Sequence, residues 1–166
     1  MTALLTFEPY VLTPLVHNVP GIHMSFFLTF YIDEPSLAIP PLEAGVNRLI
    51  ELLPFLAGNV TPSIQLKGKE NVYEVQPPTA KFLQEHSMLR IKYHEHYVSP
   101  KSPGAFSFSN ESSIDERFIP MPFEMALAEL IPVLRLQANV MHDSIVLCIS
   151  FHHMAIDGYG ALNLSR

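Results

Sequence analysis

A chain of 166 residues, 48% hydrophobic and 16% charged, carries enough apolar material for one folded domain and is no disordered polymer. Its net charge of −6, with no basic cluster, argues against nucleic acid or an anionic membrane surface as a partner. The single cysteine excludes an intrachain disulfide, and the longest apolar runs fall well short of the ~20 residues of a membrane span.

The N-terminus has no basic region, and Glu8 and Pro9 interrupt it early, so no secretory signal is expected and the expected location is cytoplasmic. Residues 1–22, punctuated by Phe7, Pro9, Pro14 and Pro20, read as an extended segment with one short strand; His17 within it is either a surface loop histidine or a functional one. Residues 23–32 are aromatic and β-forming, a first core strand that Asp33-Glu34-Pro35-Ser36 ends. Pro40-Pro41 suits a helical first turn. Leu42, Val46, Leu49, Ile50 and Leu53 then follow helical spacing as one apolar stripe, with Glu43, Asn47, Arg48 and Glu51 outside and Pro54 ending or bending the helix. Residues 63–66 and 72–75 read as a hairpin.

Residues 89–97 alternate, with Arg90, Lys92, His94 and His96 on one face. His94 and His96 could grip a metal or line a solvated sheet face, and no third ligand is evident nearby. Residues 99–113 are a Ser-, Pro- and Gly-rich loop, and residues 120–130 a short helical turn. Residues 132–141 alternate again, with Leu134, Leu136, Ala138 and Val140 on one side. A turn at 142–144 leads into the most apolar run of the chain, up to Phe151. That run suits a strand buried on both faces, the second arm of a hairpin. Cys148 within it reads as a small buried hydrophobe.

Where this strand ends, the sequence reads His152-His153-Met154-Ala155-Ile156-Asp157-Gly158. Strand side chains alternate, so the two histidines cannot both line one pocket: one faces a cavity and the other enters packing. Asp157 can fold back across a tight loop, bond an imidazole N–H, or pair with an arginine. Histidine is the side chain best suited to accept a proton near neutral pH. A satisfied histidine pair at a strand end is the plain alternative. A zinc site of His152, His153 and Asp157 is awkward because adjacent strand side chains diverge, and no metal is expected. Ser150 and Cys148 lack the setting of a nucleophile.

His-His-x-x-x-Asp-Gly after an apolar strand resembles the acyltransferase superfamily of chloramphenicol acetyltransferase, which includes BAHD acyltransferases and peptide-synthetase condensation domains. Leu12-Thr13-Pro14-Leu15 resembles the opening segment of the BAHD branch. Leu53-Pro54-Phe55-Leu56-Ala57-Gly58 resembles the signature closing its first long helix. The overall character is similar to fungal, trichothecene 3-O-acetyltransferase-like members.

The resemblance implies an α/β two-layer sandwich, a chloramphenicol acetyltransferase-like half-domain with a mixed sheet and helices on one side. Residues 1–166 would be a single N-terminal acyltransferase domain ending just after the motif. It implies acyl transfer from acyl-coenzyme A, a co-substrate and not a bound cofactor, to a hydroxyl or amine of a small metabolite. His153 would be the general base and Asp157 a structural holder of the loop, while His152 and Gly158 would line the passage. BAHD enzymes are longer, and the chain has no tryptophan for their Asp-Phe-Gly-Trp-Gly motif, so a C-terminal domain or a second copy would complete the site. Two further readings stay open: a catalytically incomplete homologue, and a condensation-type domain using carrier-bound thioesters.

Overall fold

The structure, a computed structural model, describes residues 6–13, 21–63, 72–94, 116–122 and 131–156. Its centre is strand β8 (Ser144–His152), in which seven of nine residues are buried. It pairs antiparallel with β2 (His23–Tyr31) on one edge and with β7 (Leu134–Val140) on the other. The β7–β8 hairpin closes through Met141 N–H donating to the Ser144 carbonyl at 2.9 Å. β5 (Leu89–Tyr93) adds to β7 in parallel, completing a mixed sheet of order β2-β8-β7-β5.

A second, antiparallel sheet stands beside it. It is built from β1 (Tyr10–Val11), β3 (Asn59–Pro62), β4 (Tyr73–Gln76) and β6 (Ile131–Pro132) in the order β1-β4-β3-β6. Two α-helices, α1 (Ile39–Leu52) and α2 (Ala80–Glu85), are also among the described elements. The expected mixed α/β arrangement is therefore present, and the sheets are two.

The apolar face of the mixed sheet carries Leu134, Leu136, Ala138, Val140, Ile145, Leu147 and Phe151. These join Val46 and Ile50 of α1 and Val60 and Val75 of the second sheet in one hydrophobic cluster. Burial of such side chains contributes about 1.5–3 kcal/mol each. The expected stripe on α1 holds for Leu42, Val46, Leu49 and Ile50, all in or against the core, and fails only at its last residue. Ile39, Val46 and Ile50 are buried, while Leu53 has left helical geometry (φ −132°, ψ 71°) and is 38% exposed. Pro54 cannot supply a helical N–H, and a 3₁₀ turn, Pro54–Ala57, follows.

The first hairpin begins earlier than its sequence suggests: its first arm starts with β3 at Asn59, while residues 64–66 lie outside the described residues. β3 pairs on both edges, with Val60 opposite Val75 and Ile131, which buries all three. Ser63 N–H still donates to the Val72 carbonyl at 2.7 Å, so the ladder runs on for a residue. The helical turn expected at 120–130 lies largely outside the described residues, as do His17, His96 and the loop 99–113. A 3₁₀ turn at Glu116–Phe118 precedes that turn.

The other face of β7 is polar, and it too is buried: Arg135 is 2% exposed, and Gln137 and Asn139 are fully enclosed. Backbone carbonyls of the 116–118 turn cover part of it. The Gln137 amide donates to Arg117 O at 2.7 Å, and the Asn139 amide donates to Phe118 O at 3.0 Å. From α2, His86 O accepts from Arg135 Nε at 2.8 Å, and the guanidinium lies 5.2 Å above the Phe82 ring.

Gly58 closes the Leu-Pro-x-Leu-Ala-Gly segment for a steric reason. A Cβ there would stand 2.6 Å from the Gln76 carbonyl oxygen and 3.0 Å from that of Phe55. Its φ of −68° asks nothing special of glycine, so the requirement is close backbone approach. Gly58→Ala is expected to destabilise the fold by about 1–3 kcal/mol, read as a lower denaturation midpoint in urea at unchanged slope.

Candidate active site

β8 ends at His152, and its ladder bonds continue to the final residue. His152 stands opposite His23 in β2, and its N–H donates to the Val133 carbonyl at 2.9 Å. His153 N–H donates to the Ile22 carbonyl at 3.0 Å. The chain then curls: Ala155 and Ile156 N–H groups both donate to the His152 carbonyl, at 3.0 and 3.1 Å. Met154 and Ile156 are buried and pin the curl into the core. The backbone is thus fixed on both sides of His153.

The two rings separate as side-chain alternation demands. His152 is 1% exposed, and neither of its ring nitrogens has a partner. It was expected beside Gly158 on the wall of a passage, but it is enclosed in packing. The physical reason is its register: it falls on the polar face of the sheet, edge-to-face against His23, with ring centroids 5.3 Å apart and planes at 77°. His153 is half-buried. Its Nδ1 is enclosed without a partner. Asp157 and Gly158 lie outside the described residues.

Burial disfavours the charged forms of these inner groups. Desolvation, with His23 and His153 adding to it, pushes the His152 imidazole down to about 4. His23 is lowered as well, chiefly by burial. The Pro132 and Pro122 carbonyls act against that shift, and the Arg135 charge reinforces it. Burial pushes the Cys148 thiol up to about 11, which removes it as a nucleophile. It also draws the Arg135 guanidinium down to about 9, and among the described residues no carboxylate pairs with that cation.

Sequence reasoning did not single out His23, Arg135 or Ser25, and weighed Ser150 only as a nucleophile; Arg135, Ser150 and Ser25 form a row. Cross-strand register brings that row together, and the Ser25 and Ser150 hydroxyls share a hydrogen bond of 2.6 Å. His94 joins a different network: it bonds the Asn139 side-chain oxygen at 2.9 Å and stacks on Phe118 at 4.5 Å. Among the described residues, no three histidine, cysteine or acidic side chains stand close enough to hold a metal ion.

The low His152 value carries a stability consequence. The unfolded chain, at the ordinary value of 6.5, binds the proton that the folded chain refuses until about 4. The contribution is therefore present above about 6.5 and lost as the pH falls towards 4. Between pH 7 and pH 5 the loss amounts to about 2 kcal/mol. Thermal midpoints at the two pH values are expected to drop less for His152→Phe than for the unsubstituted protein.

Comparison with known proteins places this geometry. Residues 25–166 match the trichothecene 3-O-acetyltransferase-like N-terminal domain family. Relatives include O-acetyltransferase pyr7 of Aspergillus fumigatus, 39% identical over 93% of this chain and 31% of its own length. Communesin N16 acyltransferase cnsK of Penicillium expansum is 37% identical over 94% of this chain and 33% of its own. Fumigaclavine B O-acetyltransferase easN of A. fumigatus is 33% identical over 96% of this chain and 32% of its own. The chain thus spans about a third of the length of these relatives. Among solved structures, F. sporotrichioides TRI101 complexed with coenzyme A and T-2 shares the fold with a TM-score of 0.71 at 19% identity, over 96% of this chain and 38% of that one. The starter condensation domain of rhizomide synthetase RzmA shares it at 0.54 and 13% identity, over 96% of this chain and 36% of that one. On the match over residues 25–166, the chain belongs to the trichothecene 3-O-acetyltransferase-like N-terminal domain family.

Proposed function

We propose that the protein transfers an acyl group from acyl-coenzyme A to a hydroxyl of a small-molecule acceptor, with His153 as general base. The observation that carries this reading is the division of labour at the end of β8. Of two adjacent imidazoles, one is sealed and held neutral, and the other is half-open on a backbone bonded at both sides. A base must be reachable and held still, and His153 satisfies both demands.

In the proposed step, the acceptor oxygen attacks the thioester carbonyl carbon while its proton passes to His153 Nε2. The tetrahedral intermediate then collapses, the carbon–sulfur bond breaks, and the imidazolium returns the proton to the departing coenzyme A thiolate. A lone pair at Nε2 requires the ring proton on Nδ1, the enclosed nitrogen. The family motif assigns Asp157 to holding the loop and Gly158 to leaving room beside the passage; both lie outside the described residues. Proton removal of this kind contributes on the order of 10²–10⁴-fold. Orientation of the thioester and stabilisation of its oxyanion must supply the remainder.

Relatives more than 30% identical bear acyltransferase names, which supports this reading over a carrier-dependent condensation domain, whose likeness is one of fold at 13% identity. The test is transfer from radiolabelled acetyl-coenzyme A to a panel of hydroxylated alkaloids and terpenoids, fumigaclavine B among them. His153→Ala is expected to lower kcat at least 100-fold while leaving the thermal midpoint within a few degrees. Equal turnover by both proteins would remove His153 from the chemistry, and turnover only with a phosphopantetheinyl carrier would favour the condensation reading.

A further inference from the structure

We infer that His23 is a positioning residue for His153: its ring, anchored on the Pro132 carbonyl and set edge-to-face against His152, fixes the strand end from which the His153 turn departs. The inference rests on the reading of His153 as base, but its structural half can be tested without it.

Three observations converge on His23. The first is register. β2 meets the end of β8 with two consecutive residues: His23 stands opposite His152, and the Ile22 carbonyl accepts from His153 N–H at 3.0 Å. The second is anchorage. His23 Nε2 lies 3.3 Å from the Pro132 carbonyl oxygen. A carbonyl only accepts, so Nε2 carries the proton and the ring is the neutral Nε2–H tautomer. Pro132 belongs to β6 of the other sheet, so the imidazole ties the two sheets together at the level of the site.

The third is cost. His152 is enclosed with both ring nitrogens unpartnered, and His23 Nδ1 is unpartnered too. Leaving buried polar atoms unpaired opposes folding, and an apolar residue of similar shape would avoid that. What the two imidazoles provide instead is a wedge. The two rings meet edge-to-face at 5.3 Å in a close-packed interior, so a swing of His152 towards β2 would have to displace His23. A displacement of about 1 Å at a reacting group can cost about 100-fold in rate.

The experiment compares His23→Ala and His23→Phe in the full chain, following the His153 ring signal by ¹H–¹³C NMR alongside acetyl transfer. His23→Ala is expected to shift or broaden the His153 ring signal and to lower kcat at least tenfold, with KM for acetyl-coenzyme A within twofold. His23→Phe, which restores an aromatic edge but not the bond to the Pro132 carbonyl, is expected to recover part of both. Should His23→Ala not fold, His23→Leu, a side chain of similar bulk without a ring edge, takes its place. An unmoved His153 signal in the ringless variant, or a Phe variant as impaired as it, overturns the inference. If the unsubstituted protein transfers no acyl group, the catalytic reading fails by itself, and the NMR comparison still decides whether His23 holds His153 in place.

Discussion

The double burial of β8 is the constraint from which the rest of the structure follows. A nine-residue strand bonded along both edges cannot slip by one residue without exchanging its faces. An exchange would put Phe151, Ile149, Leu147 and Ile145 onto the polar side and drive Ser150 and Cys148 into the hydrocarbon core. The register is therefore fixed by the hydrophobic effect, and the place where the chain leaves the sheet is fixed with it. The imidazole at 153 owes its position to apolar side chains elsewhere along the strand.

The two faces of the mixed sheet have different roles. The apolar face meets α1 and the second sheet in a cluster that supplies the bulk of the stabilisation. The polar face holds Arg135, Gln137, Asn139, Ser150, His152 and His23, all essentially out of water. Some of these groups are well partnered: Asn139 accepts from Gln137 Nε2 and donates to the carbonyls of Phe118 and Val146. Others are not, since one Arg135 nitrogen and both His152 nitrogens lack partners. A low-dielectric polar layer of this kind favours neutral forms, and the lowered His152, His23 and Arg135 values follow from it. Next to it, the half-buried His153 stands apart from its enclosed neighbours.

The sequence was legible where periodicity and chemistry agree. The uncharged run from Ile145 to Phe151 suits a strand buried on both faces, and the alternation over residues 132–141 suits its hairpin partner. The split between the two adjacent histidines followed from side-chain alternation. Other features were not legible because they depend on partners remote in sequence. Arg135, Gln137 and Asn139 have the alternation of a solvated face, and only the 116–118 turn and α2 show that the face is covered. His23 opens a strand like any polar boundary residue, and nothing local indicates that it meets His152. The start of the first hairpin arm lies at Asn59 and not at Ser63, because β6, a two-residue strand far along the chain, fixes the ladder of β3.

The central claim is that the end of β8 presents one imidazole to solvent and seals its neighbours away. Diethyl pyrocarbonate at pH 7, with each histidine followed by peptide mass spectrometry, tests this directly, because the reagent needs a neutral, accessible ring nitrogen. The account predicts that His153 is modified at least tenfold faster than His152 and His23, the enclosed pair. Comparable rates at the three positions, or faster modification of His152, would contradict it.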